Sequence, residues 1–175
     1  MMKRHTPLPR LWLMTDARMG EAMLPAIAAL PKGAGLVFRH YELGAKARRA
    51  LLAQVQRIAR ARRLVLLVAG KGGAHGRHRG AITAPVHSVR ERIAAERAGA
   101  KLVFVSPVFA TSSHPGAKPL GRVRFGLLIR ESKCPVIALG GMSARRARSL
   151  APFKIHGWAG IDAFTTRQKR KAVPT

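Results

Sequence analysis

The sequence predicts a single α/β domain, a shortened parallel (β/α)8 TIM barrel, on three observations. Strand-like and helix-like segments alternate from end to end, the pattern of parallel strands joined by crossover helices. Several strand candidates, such as Leu64–Ala69 and Val136–Leu139, are continuous apolar runs, as strands covered on both faces should be. The glycine-rich elements fall late, as Gly140-Gly141 and Gly157-Trp158-Ala159-Gly160, positions expected to lie after strands seven and eight, where parallel barrels build phosphate sites. A doubly wound sheet would carry such a loop after its first strand, but that strand runs into Asp16-Ala17-Arg18-Met19-Gly20.

The strands are expected at Arg10–Thr15, Gly35–Arg39, Leu64–Ala69, a short stretch near Ala74, Ala81–Val86, Leu102–Pro107, Pro135–Leu139 and Trp158–Ala163. Helices are expected at Glu21–Leu30, Lys46–Arg62, Ser88–Ala98, Val123–Ser132 and Ala144–Leu150. Ser88, with Glu91 three residues on, is a capping box, and Gly99 closes the same helix. The segment 70–80 holds five glycines and no helical periodicity, so one or more helices should be missing there. That gap explains how a barrel that usually needs about 250 residues fits a chain of 175. The expected organisation is an N-terminal extension over 1–9, one barrel domain over 10–164 and a basic tail over 165–175, the tail read mainly as a solvated end.

Charge is the outlier of the composition. Lys and Arg number 33 against 7 Asp and Glu, a net +26 at neutral pH. Such a chain attracts polyanions without needing a specific site. Aromatic residues make up only 5%, which argues against a base-stacking platform. The longest apolar runs are strand-length and broken by Gly or Pro, so no membrane span is expected. Pro7 and Pro9 interrupt the N-terminus before any signal-like core, and the expected location is cytoplasmic. The single cysteine, Cys134, reads as a buried structural thiol.

Two segments carry chemistry. Gly140-Gly141-Met142-Ser143 joins an apolar strand to a helix, so its backbone N–H groups can face an oxyanion. The loop Ser106–Gly116 presents hydroxyls, an imidazole and a Pro-Gly turn. Thr111 and Ser113 are its candidate donors, and His114 its candidate proton carrier or phosphate partner.

Thr15-Asp16, Arg39, His87-Ser88, the Pro-Val-Phe loop and Ile137-Ala138-Leu139-Gly140-Gly141-Met142 occur in an order that resembles the thiamine phosphate synthases and the related thiazole tautomerases. The resemblance covers about residues 10–164 and is strongest over Val86–Phe164. It implies a homodimeric barrel of thiamine biosynthesis, a transferase that couples a pyrimidine-methyl diphosphate to a thiazole phosphate as pyrophosphate departs. It also implies catalytic roles for Arg39 and His87 beside His114, and thiazole-phosphate binding by Gly140, Gly141, Gly160 and Ile161 with Thr111 and Ser113.

The sequence departs from that family on the diphosphate side. The family's Gln-x-Arg-x-Lys reads Val37-Phe38-Arg39-His40-Tyr41, its Asn-Asp reads Ala69-Gly70, and its second metal ligand falls where Arg77-His78-Arg79-Gly80 stands. The phosphate-loop lysine is replaced by His114, and the serine opening the last helix by Asp162, which would need Arg39 or another cation beside it. Mg²⁺ is thus expected for the family while its ligands are missing here, so neither metal nor cofactor is expected. Three readings follow: a synthase using Lys71, Arg77 and Arg79 in place of Mg²⁺; a metal-independent tautomerase-like isomerase using His87; or a non-catalytic relative binding a phosphate ligand or polyanion.

Overall fold

A computed structural model describes residues 8–112 and 116–169. Its centre is a curled, wholly parallel seven-stranded sheet of β1 (Leu11–Met14), β2 (Gly35–Phe38), β3 (Val65–Val68), β4 (Thr83–Val86), β5 (Leu102–Val105), β6 (Val136–Ala138) and β7 (Gly157–Gly160). The order is β3-β2-β1-β7-β6-β5-β4, as in a barrel cut open between β3 and β4. Around it lie α1 (Met23–Ala28), α2 (Ala45–Arg62), α3 (Val89–Arg97), α4 (Gly121–Ile129), α5 (Ala144–Ser149) and α6 (Asp162–Lys169).

The expected fourth strand of the eight is reduced to one residue. His75 bridges Ala69 on one side and Thr83 on the other, both in parallel sense, and so stitches the two sheet edges together. Its amide donates to the Val68 carbonyl at 3.2 Å, and the Gly76 amide donates to the Thr83 carbonyl at 3.0 Å. Too many glycines surround it for a longer strand to resist unfolding entropy. No helix lies between residues 69 and 82, as the glycine run implied.

Aromatic packing fills the ring below its mouth. Trp12 of β1 and Phe104 of β5, three strands along the sheet, meet edge to face at 5.3 Å, and His75 meets Phe104 edge to face at 5.2 Å. A Cβ at position 35 would sit 2.1 Å from the Trp12 ring, so β2 must open on glycine. A second buried cluster packs Phe125 and Leu128 of α4 with Val103 and Val136 of the sheet.

His75 is almost fully buried, with Nδ1 2.9 Å from the Thr83 hydroxyl. Burial, and then the charge of Arg39, push its pKa from 6.5 down to about 4. The unfolded chain therefore takes up a proton at a pH where the folded chain does not. This contribution is complete above pH 6.5 and is lost as pH falls toward 4, by up to about 3 kcal/mol. Urea midpoints should fall across that window and fall less steeply in His75→Gln; equal slopes in both proteins would contradict the assignment.

The other elements lie close to their expected ranges, with two corrections. The last strand is Gly157–Gly160 where Trp158–Ala163 was expected, because Asp162 already begins α6, and its glycines therefore lie in the strand and not in a loop after it. That helix runs through residue 169, so the expected boundary between barrel and tail falls inside it. Its anchor is Phe164, stacked on Trp158 at 5.6 Å with the rings 9° from parallel. Residues 170–175, with Arg170 and Lys171 of the basic run, lie outside the described residues. No described helix is long and apolar enough to cross a membrane.

Candidate functional site

Each strand points its C-terminal end to the same side, so the residues that follow the strands collect at one mouth. Arg39 follows β2 and is fixed from two directions. Its Nε donates to the Thr15 carbonyl at 2.8 Å and its Nη2 to Asp16 Oδ2 at 2.7 Å, while the buried Thr15 hydroxyl accepts its backbone N–H at 2.9 Å. The other Asp16 oxygen accepts Arg18 Nε at 2.9 Å and the Arg18 amide at 3.1 Å. Burial alone would raise the Asp16 pKa, but the Arg18 amide and the charges of Arg18 and Arg39 outweigh it and hold the carboxyl below its usual range.

Arg18 extends this network across the mouth. Its Nη1 lies 3.3 Å from the Ser112 hydroxyl and 3.8 Å from Asp162 Oδ1, and that hydroxyl donates to Asp162 Oδ2 at 2.7 Å. Among the described residues Arg18 is thus a cation beside Asp162, while Arg39 is engaged with Asp16.

His87 ends β4. Its amide donates to Glu91 Oε2 at 2.7 Å, and the Ser88 hydroxyl accepts the Glu91 amide at 3.2 Å, so the capping box reaches back one residue further than its usual form. His87 Nδ1 lies 2.8 Å from the Ser106 carbonyl, which only accepts, so Nδ1 carries the proton and Nε2 the lone pair of the neutral ring.

The Gly140-Gly141 turn follows β6 with φ of +93° and +59°. A Cβ at Gly140 would lie 2.7 Å from Pro107 Cα, and one at Gly141 would lie 2.2 Å from the Ala110 carbonyl oxygen. Glycine at both positions thus lets the turn lie against the Pro107–Ala110 segment. Ser143 caps α5 by accepting the Arg146 amide at 3.3 Å. The Arg146 guanidinium lies 5.0 Å from the centre of the Phe109 ring and donates to the Gly141 carbonyl.

These residues line two adjoining cavities that share Thr111, Leu139, Gly140 and Ile161. One, of about 330 Å³, also has Arg39, His87 and Ser106 in its wall. The other, of about 390 Å³, has Ser112, Gly141, Ser143, Arg146, Gly160 and Asp162. The mouth thus brings together Arg39, His87, Thr111, Gly140, Gly141, Gly160 and Ile161, while Ser113 and His114 lie outside the described residues.

Of the three cations considered for the diphosphate side, Lys71 and Arg77 line a separate opening of about 500 Å³ beside Tyr41 and His75, and Arg79 is exposed. Arg77 lies 3.2 Å from Glu91, the carboxylate that holds the His87 amide, so this opening adjoins the mouth. Arg18, Ser112 and Arg146 were not foreseen from the sequence. Arg146 alone had a local signal, as the third residue of a helix opening on Gly-Gly and a serine cap.

The donor set for Mg²⁺ is a poor one. A hard dication needs several oxygen ligands, but Asp16 has both oxygens on guanidinium groups and Asp162 faces Arg18 and Ser112. Among the described residues no three His, Cys, Asp or Glu side chains converge to hold a metal ion.

A parallel sheet curled as in a barrel, with a glycine turn and a helix start facing a cleft at its C-terminal edge, places the chain in the class of parallel α/β barrels. Within that class the family is defined: the thiamine monophosphate synthase model matches residues 73–164, and the chain belongs to that family. Over 78 residues it is 36% identical to the putative thiamine-phosphate synthase 2 of Aquifex aeolicus, covering 45% of this chain and 42% of that one. Over 82 residues it is 32% identical to the thiamine-phosphate synthase of Pyrococcus furiosus, covering 47% and 40%. The matched stretch thus spans about two fifths of these relatives' length. In fold, the chain is similar to the thiamine phosphate pyrophosphorylase structure from Pyrococcus furiosus, with a TM-score of 0.76, 22% identity and 94% and 91% of the two chains covered. It is also similar to an N-acetylmannosamine-6-phosphate 2-epimerase from Clostridium perfringens, with a TM-score of 0.57, 16% identity and coverage of 93% and 90%.

Proposed function

We propose that the chain acts in thiamine biosynthesis as a thiamine phosphate synthase-type transferase, joining a pyrimidine-methyl diphosphate to a thiazole phosphate. The observation that carries this reading is the convergence of Arg39, His87, Thr111, Gly140 and Ile161, from five different strand ends, on one cavity. The thiazole phosphate would lie in the adjoining cavity, against the Gly140-Gly141 turn and Arg146, whose N–H groups suit a phosphate monoester. The reaction concentrates negative charge on the departing pyrophosphate, which preorganised cations stabilise. Lys71 and Arg77 carry the load here that Mg²⁺ carries in the family, since both aspartates at the mouth face guanidinium groups. The resemblance also implies a homodimer.

Incubating the full chain with both substrates, with Mg²⁺ or with EDTA, tests this. The coupled product and pyrophosphate should appear at equal rates in both conditions. No product above the uncatalysed background in either condition would remove the proposal.

The His87 geometry favours a second reading. With Nδ1–H on the Ser106 carbonyl, Nε2 is a base at the cavity wall, suited to a metal-independent thiazole tautomerase. Solvent deuterium would then enter a thiazole phosphate without any diphosphate present, and His87→Ala would abolish that exchange. Saturable binding without coupling or exchange would leave a phosphate-binding relative that has lost catalysis.

A further inference from the structure

Helix α2 sorts its cations by face. The sequence Ala45–Arg62 contains no Asp or Glu. Arg48 and Arg62 turn inward: Arg48 donates to the Ala69 carbonyl at 2.9 Å and lies over the Phe38 ring, and Arg62 donates to the Leu30 carbonyl at 3.0 Å. With Val55 and Ala59 they hold the helix on the barrel. Lys46, Arg49, Arg57 and Arg60 are all exposed. At about 100° per residue they fall within an arc of roughly 80° opposite Val55, and they run about 21 Å along the axis.

Among the described residues, no carboxylate lies within ion-pair distance of these four. The row continues past the helix end through the exposed Arg63 and Lys32, whose loops are joined where the Gly33 amide donates to the Arg63 carbonyl at 3.0 Å. The helix dipole favours cations only near the C-terminus, so it accounts for Arg60 and opposes Lys46 and Arg49 in the first turns. Neither packing nor helix formation asks for this row.

We propose that the outer face of α2 is a docking surface for the phosphate backbone of a nucleic acid duplex. A straight row of guanidinium and ammonium groups matches a regular array of phosphates, and such contacts fix position without reading sequence. The exposed face carries Ala50, Ala53 and Gln54 between the cations and no aromatic residue, so it has nothing to stack on bases. Nor can α2 insert into a membrane as an interfacial helix. An interfacial helix needs a free apolar face, and the apolar face of α2 is already spent on the barrel.

The test measures binding of the full chain to a fluorescent 20-base-pair duplex of mixed sequence over a salt series. The variant Lys46→Gln/Arg49→Gln/Arg57→Gln/Arg60→Gln is compared with a control of equal charge change on other exposed sites, Arg90→Gln/Arg122→Gln/Arg124→Gln/Arg145→Gln, both checked for native circular dichroism. The α2 variant should bind at least tenfold more weakly at about 100 mM salt, with a log–log salt slope shallower by about three to four, while the control stays near wild type. Equal losses in the two variants would overturn the proposal in favour of adhesion by net charge. Tighter, α2-dependent binding to phosphatidylserine vesicles than to the duplex would overturn it in favour of a membrane.

Discussion

Trp12→Ala is expected to cost the fold about 3–5 kcal/mol, a large share of the roughly 5–15 kcal/mol that holds a domain together. The side chain is 1% exposed. Its ring covers the space left by Gly35, meets Phe104 of β5 edge to face, and donates from Nε1 to the Pro9 carbonyl at 2.7 Å. Truncation leaves a hollow at the axis of a ring too short in one stave to collapse evenly, and it strands a buried carbonyl. Guanidinium midpoints should drop with little change in slope, and the melting temperature should fall by about 10 °C or more. Trp12→Phe, which keeps a ring against Phe104 and loses the hydrogen bond, should recover more than half of the loss. A change under about 1 kcal/mol for Trp12→Ala would show that the ring interior is not the centre of stability.

The second large effect is expected at Arg39, and it is chemical. Arg39→Ala removes the cation that faces the cavity from the end of β2 and leaves Asp16 with Arg18 alone. Losing one preorganised charge of this kind lowers turnover by about 10²–10³-fold. Arg39→Lys should rescue little, because one ammonium cannot hold the Thr15 carbonyl and Asp16 Oδ2 together as the fork does. The melting temperature should fall much less than in Trp12→Ala. Coupling rates of both variants check this, and full activity in Arg39→Lys would assign the residue a plain charge role.

How much of this was legible in the sequence depends on how local each signal was. Apolar runs, the Ser88–Glu91 cap and the glycine stretch after β3 report on neighbours in the chain, and they placed the strands, helices and missing helices. The family likeness concentrated in Val86–Phe164, inside the stretch that the family model matches. Other features needed the ring to close. That a single residue, His75, would replace a whole stave follows from Ala69 and Thr83 lying on either side of it. Pairing of Arg18 with Ser112 and Asp162 joins positions 94 or more residues apart. The resemblance placed a helix start at Asp162, but the extent of α6 to residue 169 was missed because its basic residues resemble a tail, while the stacking of Phe164 on Trp158 is tertiary.

Seating of a phosphate ester at the Gly140-Gly141 turn is tested most directly by amide NMR titration of the full chain with thiazole phosphate. The amides of Gly140, Gly141, Gly160 and Ile161 should shift together and saturate, and should do so at high salt, where contacts along α2 are screened. Shifts confined to α2, or none that saturate at Gly140, would contradict it.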